Sequence, residues 1–219
     1  MSGAAGRVLA LLASRPPTLG PARLLGVDGP GGSGKTTLAA QVAARTGATV
    51  VHLDDLYDGW TGLDRVGGVD GQLATLLRPL AAGRPGRYRR YDWYAGAPAE
   101  TVTVPPPGPG GLLVVEGVGA GGLSCADLLT VLAWIEAPRA LRLRRGLDRD
   151  GEHLRAQWTA WQDAEDAHHA RERTRARADL LLDGTAPPDD GRVQAPRPGR
   201  SATEVPRSPE APAHRAPGG

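Results

Sequence analysis

The sequence predicts an α/β protein in which helices cover both faces of a mostly parallel sheet. Two observations lead to this fold class. Short apolar runs, typical of buried parallel strands, alternate with longer segments of helical periodicity. A glycine-rich stretch at residues 29–34 also lies between the first apolar run and the next helical segment, where a strand would turn sharply into a helix. At 219 residues, the chain is long enough for one domain of this kind.

Turn residues and apolar periodicity delimit the elements of the first half. Pro16, Pro17 and Pro21 separate the first helix from the first strand, and Gly47 and Gly83 each follow the last residue of a helical segment. In chain order, this half is predicted to form a helix over 4–14, a strand over 23–27, a helix over 35–46, a strand over 48–53, a loop over 57–71 and a helix over 72–82.

The second half continues the alternation after an irregular section that contains YRRYDW and TVTV, two candidate short strands between residues 87 and 107. The elements predicted next are strands over 111–115 and 130–135, helices over 138–149 and 152–177, and a strand over 180–182. From residue 186 onward, proline, glycine and charged residues dominate. Such a segment buries too little surface to offset its ordering entropy, so we expect a domain over 1–185 and a disordered tail over 186–219.

Composition excludes several classes of protein. With 26 basic and 24 acidic residues and no concentrated basic block, the chain is not expected to bind nucleic acid. It contains no apolar run of membrane-spanning length, and its N-terminal apolar stretch, flanked by Arg7 alone, is interpreted as an amphipathic helix rather than a signal peptide. The single cysteine, Cys125, lies in an apolar stretch and excludes an internal disulfide, which is typical of a cytoplasmic protein.

The glycine-rich stretch carries the strongest functional motif, because residues 29–36 match G-x-x-x-x-G-K-[ST]. Its glycines allow backbone N–H groups to point inward around phosphate oxygens, and the following helix adds its positive N-terminal end. Lys35, the only lysine in an arginine-rich chain, can reach the β- and γ-phosphates of ATP, while the Thr36 hydroxyl can bind Mg²⁺. The predicted nucleotide-binding residues are Gly29, Gly31, Gly32, Ser33, Gly34, Lys35, Thr36 and Thr37.

Carboxylates follow two of the predicted strands, at the edge where open α/β sheets bind ligands. Asp54 and Asp55 come after the second strand, and at least one of them is expected to bind a metal or to orient a hydroxyl and accept its proton. The alternative is that they cap the following turn. Glu116 ends the strand that begins at 111 and is a candidate magnesium ligand, or else a solvated strand terminus.

Two helical faces remain in the last third of the chain. Arg142, Arg145 and Arg149 share one face of the helix over 138–149, which would either cover the phosphates of ATP or form a solvated surface. The second face consists of Leu154, Trp158, Trp161 and Glu165, whose tryptophans are interpreted as core residues. His168 and His169 are assigned no metal.

Six segments resemble the uridine kinase-like branch of the P-loop kinases, over residues 23–184 and in the same order. They are VDGPGGSGKTTLA, HLDDLYDGW, YRRYDW, LLVVEGV, RGLDRDG and RADLLLDG. The resemblance implies a three-layer P-loop NTPase-type fold, and ATP and Mg²⁺ as cofactors. It also implies the following roles: Asp54 as catalytic base and acceptor-binding residue, Tyr57, Asp64 and Tyr91 as further acceptor-binding residues, Glu116 as the metal-associated acid, and Arg145 and Arg149 as catalytic lid arginines.

Two departures from this family concern the acceptor and the lid. Residues 95–97 read Ala-Gly-Ala where uridine kinases place a histidine that helps to select the pyrimidine. The spacing of Arg145 and Arg149 is one residue longer than the common R-x-x-R-D pattern. The sequence thus favours transfer of the γ-phosphate of ATP to a hydroxyl, with a uridine- or cytidine-like nucleoside as the first acceptor considered. A pantothenate-like or sugar-like acceptor, and a non-catalytic ATP-binding regulator, remain the alternatives.

Overall fold

A computed structural model describes residues 3–66, 68 and 71–186 of the chain. Five parallel strands form the main sheet, in the order β2-β5-β1-β6-β7. The strands of the chain are β1 (Arg23–Asp28), β2 (Thr49–His52), β3 (Gly86–Asp92), β4 (Ala97–Val104), β5 (Leu112–Glu116), β6 (Val131–Glu136) and β7 (Leu180–Asp183). The predicted parallel α/β fold is therefore confirmed.

Register brings polar residues together at the carboxyl edge of this sheet. Glu116 at the end of β5 lies beside Val27 of β1 on one side and His52 of β2 on the other. Asp28, the last residue of β1, pairs with Trp134 of β6. Because β1 is central, the loop that leaves it emerges between these polar strand ends.

Helices pack on both faces of the sheet and divide the core in two. The helices are α1 (Ala4–Ala13), α2 (Lys35–Thr46), α3 (Leu63–Val66), α4 (Gln72–Ala81), α5 (Arg139–Asp150), α6 (Arg155–Glu172) and α7 (Thr174–Arg177). Leu25 and Val27 of β1 share one core with α1 and α2, whereas Leu24 belongs to the other core with α4 and α6. Alternate residues of one strand thus face opposite helical layers, as expected for a buried parallel strand.

The irregular section forms an antiparallel hairpin, β3 and β4, which stands apart from the main sheet. A β-bulge interrupts the pairing between Arg89 and Tyr91. Gly86 lies directly on α4, since a Cβ there would approach the Leu76 carbonyl oxygen to 2.1 Å. The two candidate short strands are confirmed, and each is longer than predicted.

Two predicted elements differ from the structure. The helix predicted over 152–177 divides into a 3₁₀ turn (Glu152–Leu154), α6 and α7, because Arg173 adopts a left-handed conformation with φ of 52° and interrupts the helix. The predicted loop over 57–71 contains a 3₁₀ turn (Gly59–Thr61) and the short helix α3. Residues 187–219 of the predicted tail lie outside the described residues. No helix within the described ranges is long and apolar enough to cross a bilayer.

Candidate active site

The glycine-rich loop connects β1 to α2, with Lys35 as the first residue of the helix. Gly29 and Gly32 have positive φ angles of 136° and 76°. A Cβ at Gly29 would lie 2.0 Å from the Ile135 carbonyl oxygen, and one at Gly32 would lie 2.7 Å from that of Arg142. Only glycine fits these two positions, so they allow the chain to turn tightly between β1 and α2.

Lys35 folds back over the start of the loop. Its ammonium group donates hydrogen bonds to the carbonyl oxygens of Gly29 and Pro30 over 2.7 and 2.9 Å, and the residue is only 7% exposed. The buried Ser33 hydroxyl has no hydrogen-bond partner among the described residues. The loop therefore contains a buried ammonium group and an unpaired hydroxyl that can hydrogen-bond a phosphorylated ligand.

Thr36 and Glu116 meet at the base of α2. The threonine hydroxyl donates to Glu116 Oε1 over 3.1 Å, and the imidazole of His52 lies 2.6 Å from the same oxygen. The hydrogen bond to this carboxylate raises the pKa of His52 above its ordinary value. The hydroxyl and carboxylate are hard oxygen ligands of the kind that Mg²⁺ prefers. No group of three or more His, Cys, Asp or Glu side chains in the described part of the chain forms a metal site of its own.

Asp54 lies in the 3₁₀ turn Leu53–Asp55 that follows β2. Burial raises the pKa of its carboxyl group, and the nearby charge of Glu116 raises it further. The charges of Arg149 and Lys35 act in the opposite direction. The structure thus brings Asp54 into the electrostatic environment of three other predicted site residues.

Asp55 has different surroundings. Burial raises the pKa of its carboxyl group as well, but the cations that oppose this effect are His52 and Arg90. Arg90 belongs to the β3–β4 hairpin and pairs with Glu100 over 2.6 Å. Of the two adjacent aspartates, Asp54 is the one that interacts with the lysine of the loop.

Tyr57, Asp64 and Tyr91, but not Asp54, line a cavity of about 610 Å³ between the hairpin and the segment after Asp54. Tyr57 is buried and donates from its hydroxyl to the Val118 carbonyl oxygen over 2.8 Å. Tyr91 packs edge-on against Trp93, with ring centroids 5.3 Å apart. Asp64 is exposed and pairs with Arg171 over 2.6 Å.

Sequence reasoning did not single out the indoles near Asp54. The Trp93 indole donates to the Asp54 carbonyl oxygen over 2.8 Å, and Trp60 lies edge-on to Trp93 with centroids 5.5 Å apart. Trp60 also contacts the rings of Trp158 and Trp161. An aromatic wall, formed by Trp60, Trp93, Trp158 and Trp161, therefore runs from Asp54 toward the glycine-rich loop.

The three arginines of α5 have different environments. Arg145 donates to the carbonyl oxygens of Gly32 and Gly184 over 3.1 and 3.0 Å, and so connects the loop to the turn after β7. Arg149 pairs with Asp150 over 2.7 Å and lies 5.6 Å above the Trp158 ring. Arg142 is buried against Glu165. The hypothesis of a solvated arginine face is therefore wrong for Arg142.

Two buried carboxylates also hold the loop, and their role was not predicted. Asp28 accepts hydrogen bonds from the backbone N–H groups of Gly29, Gly119 and Gly121. Glu165 accepts one from Gly31. The sequence offered a signal for Glu165 alone, because it shares a helical face with Trp158 and Trp161, whose interpretation as core residues is confirmed.

Comparison with known proteins relates this arrangement to solved structures. No protein-family model matches the chain, and no curated protein matches it significantly. A possible uridine kinase from Bacillus stearothermophilus is similar over 82% of this chain and 97% of its own, with a TM-score of 0.59 and 21% identity. A protein provisionally named a fructose transport system kinase, from Silicibacter sp. TM1040, is similar over 81% and 96%, with a TM-score of 0.54 and 22% identity.

The chain shares the fold of these two structures, with a parallel sheet between layers of helices. At these identities, the likeness applies to the fold and not to the reaction. The departure at residues 95–97 from the sequence resemblance falls at the end of the β3–β4 turn and the first residue of β4. Asp92 closes that turn by accepting hydrogen bonds from the N–H groups of Tyr94 and Ala95 over 2.9 and 3.0 Å. Small residues thus occupy the tip where the resemblance led us to expect a histidine.

Proposed function

We propose that this protein transfers the γ-phosphate of ATP to a hydroxyl group of a small molecule, with a uridine- or cytidine-like nucleoside as the leading candidate acceptor. One observation carries the proposal. The carboxyl group of Asp54 shares the electrostatic environment of Lys35, Glu116 and Arg149 at the edge of the glycine-rich loop. A nucleotide-binding switch needs one carboxylate near its Mg²⁺, the role proposed for Glu116, whereas a kinase needs a second one to orient the attacking hydroxyl.

The donor set supports Mg·ATP as the nucleotide. The amides of the loop and Lys35 would bind the phosphates, and Arg145 and Arg149 would add positive charge from α5. Thr36 and Glu116, whose oxygen atoms lie 3.1 Å apart, would hold Mg²⁺ together with its water molecules. Bound there, the ion would neutralise charge on the phosphate oxygens.

Asp54 is assigned the role of base. Its carboxylate would accept a hydrogen bond from the acceptor hydroxyl and take up the proton as the oxygen attacks the γ-phosphorus, while the bond from that phosphorus to ADP breaks. A pKa raised by burial makes a carboxylate a stronger proton acceptor than it is in water. The aromatic wall would exclude water, so that the phosphoryl group reaches the acceptor rather than solvent.

The cavity proposed to bind the acceptor is compatible with more than one kind of small molecule. A cavity of about 610 Å³ beside Tyr57 and Tyr91 is of suitable size for a nucleoside, a sugar or a pantothenate-like compound. The small residues at 95–97 favour testing the non-nucleoside acceptors in the same screen. A nucleotide sensor without transfer activity is the remaining hypothesis. The composition favours a cytoplasmic location for each of them.

An acceptor screen with matched aspartate variants tests the proposal. Purified protein is supplied with Mg·ATP and a panel of nucleosides, sugars and pantothenate, and ADP release is measured. For the best acceptor, we expect Asp54→Asn to reduce kcat by about 100-fold or more, with the affinity for Mg·ATP within about threefold of the parent. Asp55→Asn is the control and should retain most of the activity.

Each outcome bears on a different part of the proposal. Uridine and cytidine without response, beside a responding sugar or pantothenate, would reject the nucleoside acceptor only. Tight binding of ATP without ADP release across the whole panel would favour the sensor. Equal losses of kcat in the Asp54 and Asp55 variants would reject Asp54 as the specific base.

A further inference from the structure

Helix α6 presses directly on the glycine-rich loop. A Cβ placed on Gly31 would lie 3.1 Å from the Trp158 ring, 3.2 Å from Glu165 Oε2 and 3.4 Å from Trp161 Nε1. These three side chains follow the i, i+3, i+7 spacing of one helical face. The face of α6 that the sequence predicts as core, formed by Trp158, Trp161 and Glu165, therefore packs against the backbone of the loop.

Glu165 is the polar residue of this face of α6, and it is completely buried. Its Oε2 atom accepts a hydrogen bond from the Gly31 N–H over 2.7 Å, and its Oε1 atom accepts one from Arg142 Nη1 over 2.5 Å. The Nε atom of Arg142 donates in turn to the Ala137 carbonyl oxygen over 2.9 Å. One carboxylate thus joins the first turn of the loop to the arginine-bearing helix α5.

Stability alone does not account for a charged pair at this position. Two apolar side chains of similar size often serve the fold equally well or better than a buried ion pair. Burial also raises the pKa of Glu165, which shows that desolvation opposes the charge. What an apolar pair cannot provide is an acceptor for the Gly31 N–H group, and an unpaired buried N–H is costly.

We propose that Glu165 is a positioning residue whose acceptor oxygen fixes the Gly31–Gly32 turn in its nucleotide-binding conformation. The inference rests on the proposed function in one respect, namely that the loop binds a nucleotide. It does not depend on the identity of the acceptor. Glu165 acts through the backbone of the loop and is not itself assigned a contact with the substrate.

Two double variants separate the bond to Gly31 from the ion pair. Both replace Arg142 with methionine, so that neither contains a buried unpaired cation. In one, Glu165→Gln retains an oxygen that can accept from the Gly31 N–H, while in the other Glu165→Met has the same length and no acceptor. Binding of Mg·ATP is measured by calorimetry below the unfolding midpoint of both variants, with circular dichroism to verify that each is folded.

We expect the glutamine variant to bind Mg·ATP within about threefold of the parent, and the methionine variant to bind about tenfold more weakly, the equivalent of one lost hydrogen bond. This rescue by glutamine would not occur if the pair were merely structural. Equal affinities in the two folded variants would overturn the positioning role and leave the proposed kinase untouched. A parent protein that binds no nucleotide would overturn both.

Discussion

Lys35 shows how much a single residue can reveal in a sequence. In a chain that uses arginine for every other basic position, a retained lysine indicates a site that a guanidinium cannot occupy. The structure is consistent with this argument, since the compact ammonium group lies between the Gly29 and Pro30 carbonyl oxygens. Five donors in a planar fork would not fit between these two oxygens in so buried a position.

The electrostatics of Asp54 lead to a prediction about pH. A base must be ionised to act, so activity falls as the pH drops through its pKa. Burial and the charge of Glu116 raise that pKa, so the acidic limb of the kcat/KM profile should lie above 3.8, the ordinary value for aspartate. Arg149 counteracts the shift, and Arg149→Met should therefore move the limb to higher pH.

Arg145→Met provides the matched control for this profile. Its guanidinium is bound to the Gly32 and Gly184 carbonyl oxygens and is not among the charges that shift Asp54. Both arginine variants are expected to lose activity, so the pH at the midpoint of the acidic limb is compared rather than the maximal kcat/KM. A limb that moves equally in the two variants, or in neither, would contradict the predicted influence of Arg149.

Residue-level prediction was limited to groups that belong to local motifs. The pairing of Thr36 with Glu116 could be anticipated, because one follows a loop motif and the other ends a strand. The contacts of Asp28 with Gly119 and of Glu165 with Gly31 could not be anticipated, because the paired residues are 91 and 134 positions apart in the chain. The contact of Asp28 with Gly29 depends on the conformation of the loop. Sequence spacing identifies a helical face, but it does not identify the surface that the face covers.

At the level of elements, prediction succeeded where capping residues mark the ends. Helix α2 begins at Lys35 and ends at Thr46, as predicted, because Gly47 adopts the left-handed conformation that ends a helix. The break at Arg173 was missed because arginine gives no such signal. The hairpin was recognised only as two short strands, because its pairing has an irregular register and a bulge.

The contact between α5 and α6 leads to a prediction about stability. Gly146 lies in the middle of α5, where alanine would ordinarily favour the helix by about 1 kcal/mol. A Cβ there would nevertheless approach the Trp158 ring to 2.4 Å. Because the Trp158 ring is itself buried and packed, Gly146→Ala should lower the free energy of unfolding by about 1–3 kcal/mol, measured by urea denaturation.

Gly108→Ala is the control for that measurement. The position has no neighbouring atom within 4 Å of an added Cβ and no left-handed φ angle. Its free energy of unfolding should remain within about 0.5 kcal/mol of the parent. A Gly146→Ala protein as stable as this control would show that α5 and the Trp158 ring can move apart to accommodate the methyl group, which would contradict the close packing predicted for this contact.

For the molecule as a whole, the alternation of elements predicted the fold class and left the order of strands open. That order, β2-β5-β1-β6-β7, is what brings His52, Asp28 and Glu116 to one edge. The buried carboxylate of Asp28 then connects three parts of the chain. It binds the N–H groups of Gly29, Gly119 and Gly121, and it lies 3.3 Å from the His169 ring on α6.

Asp28 should therefore make global stability depend on pH. Burial alone would raise its pKa, but the hydrogen bonds from His169 and the backbone amides outweigh burial and hold the pKa below the ordinary 3.8. A carboxyl group with a depressed pKa in the folded state stabilises fully above its unfolded value, and this contribution is lost as the pH falls through the folded value. At pH 7, Asp28→Asn should cost about 2–3 kcal/mol, because an amide cannot accept all these hydrogen bonds.

Urea denaturation of the parent and the Asp28→Asn variant at a series of pH values from 7 to 3 tests this linkage, with circular dichroism as the probe. Below about pH 4 the difference in unfolding free energy should shrink as the pH falls, because the parent alone then takes up a proton at Asp28 on unfolding. A difference that stays constant to pH 3 would mean that folding leaves the pKa of Asp28 unchanged, and one that grows as the pH falls would mean that its carboxyl group is protonated in the folded protein; either result would contradict the predicted ionic role of Asp28.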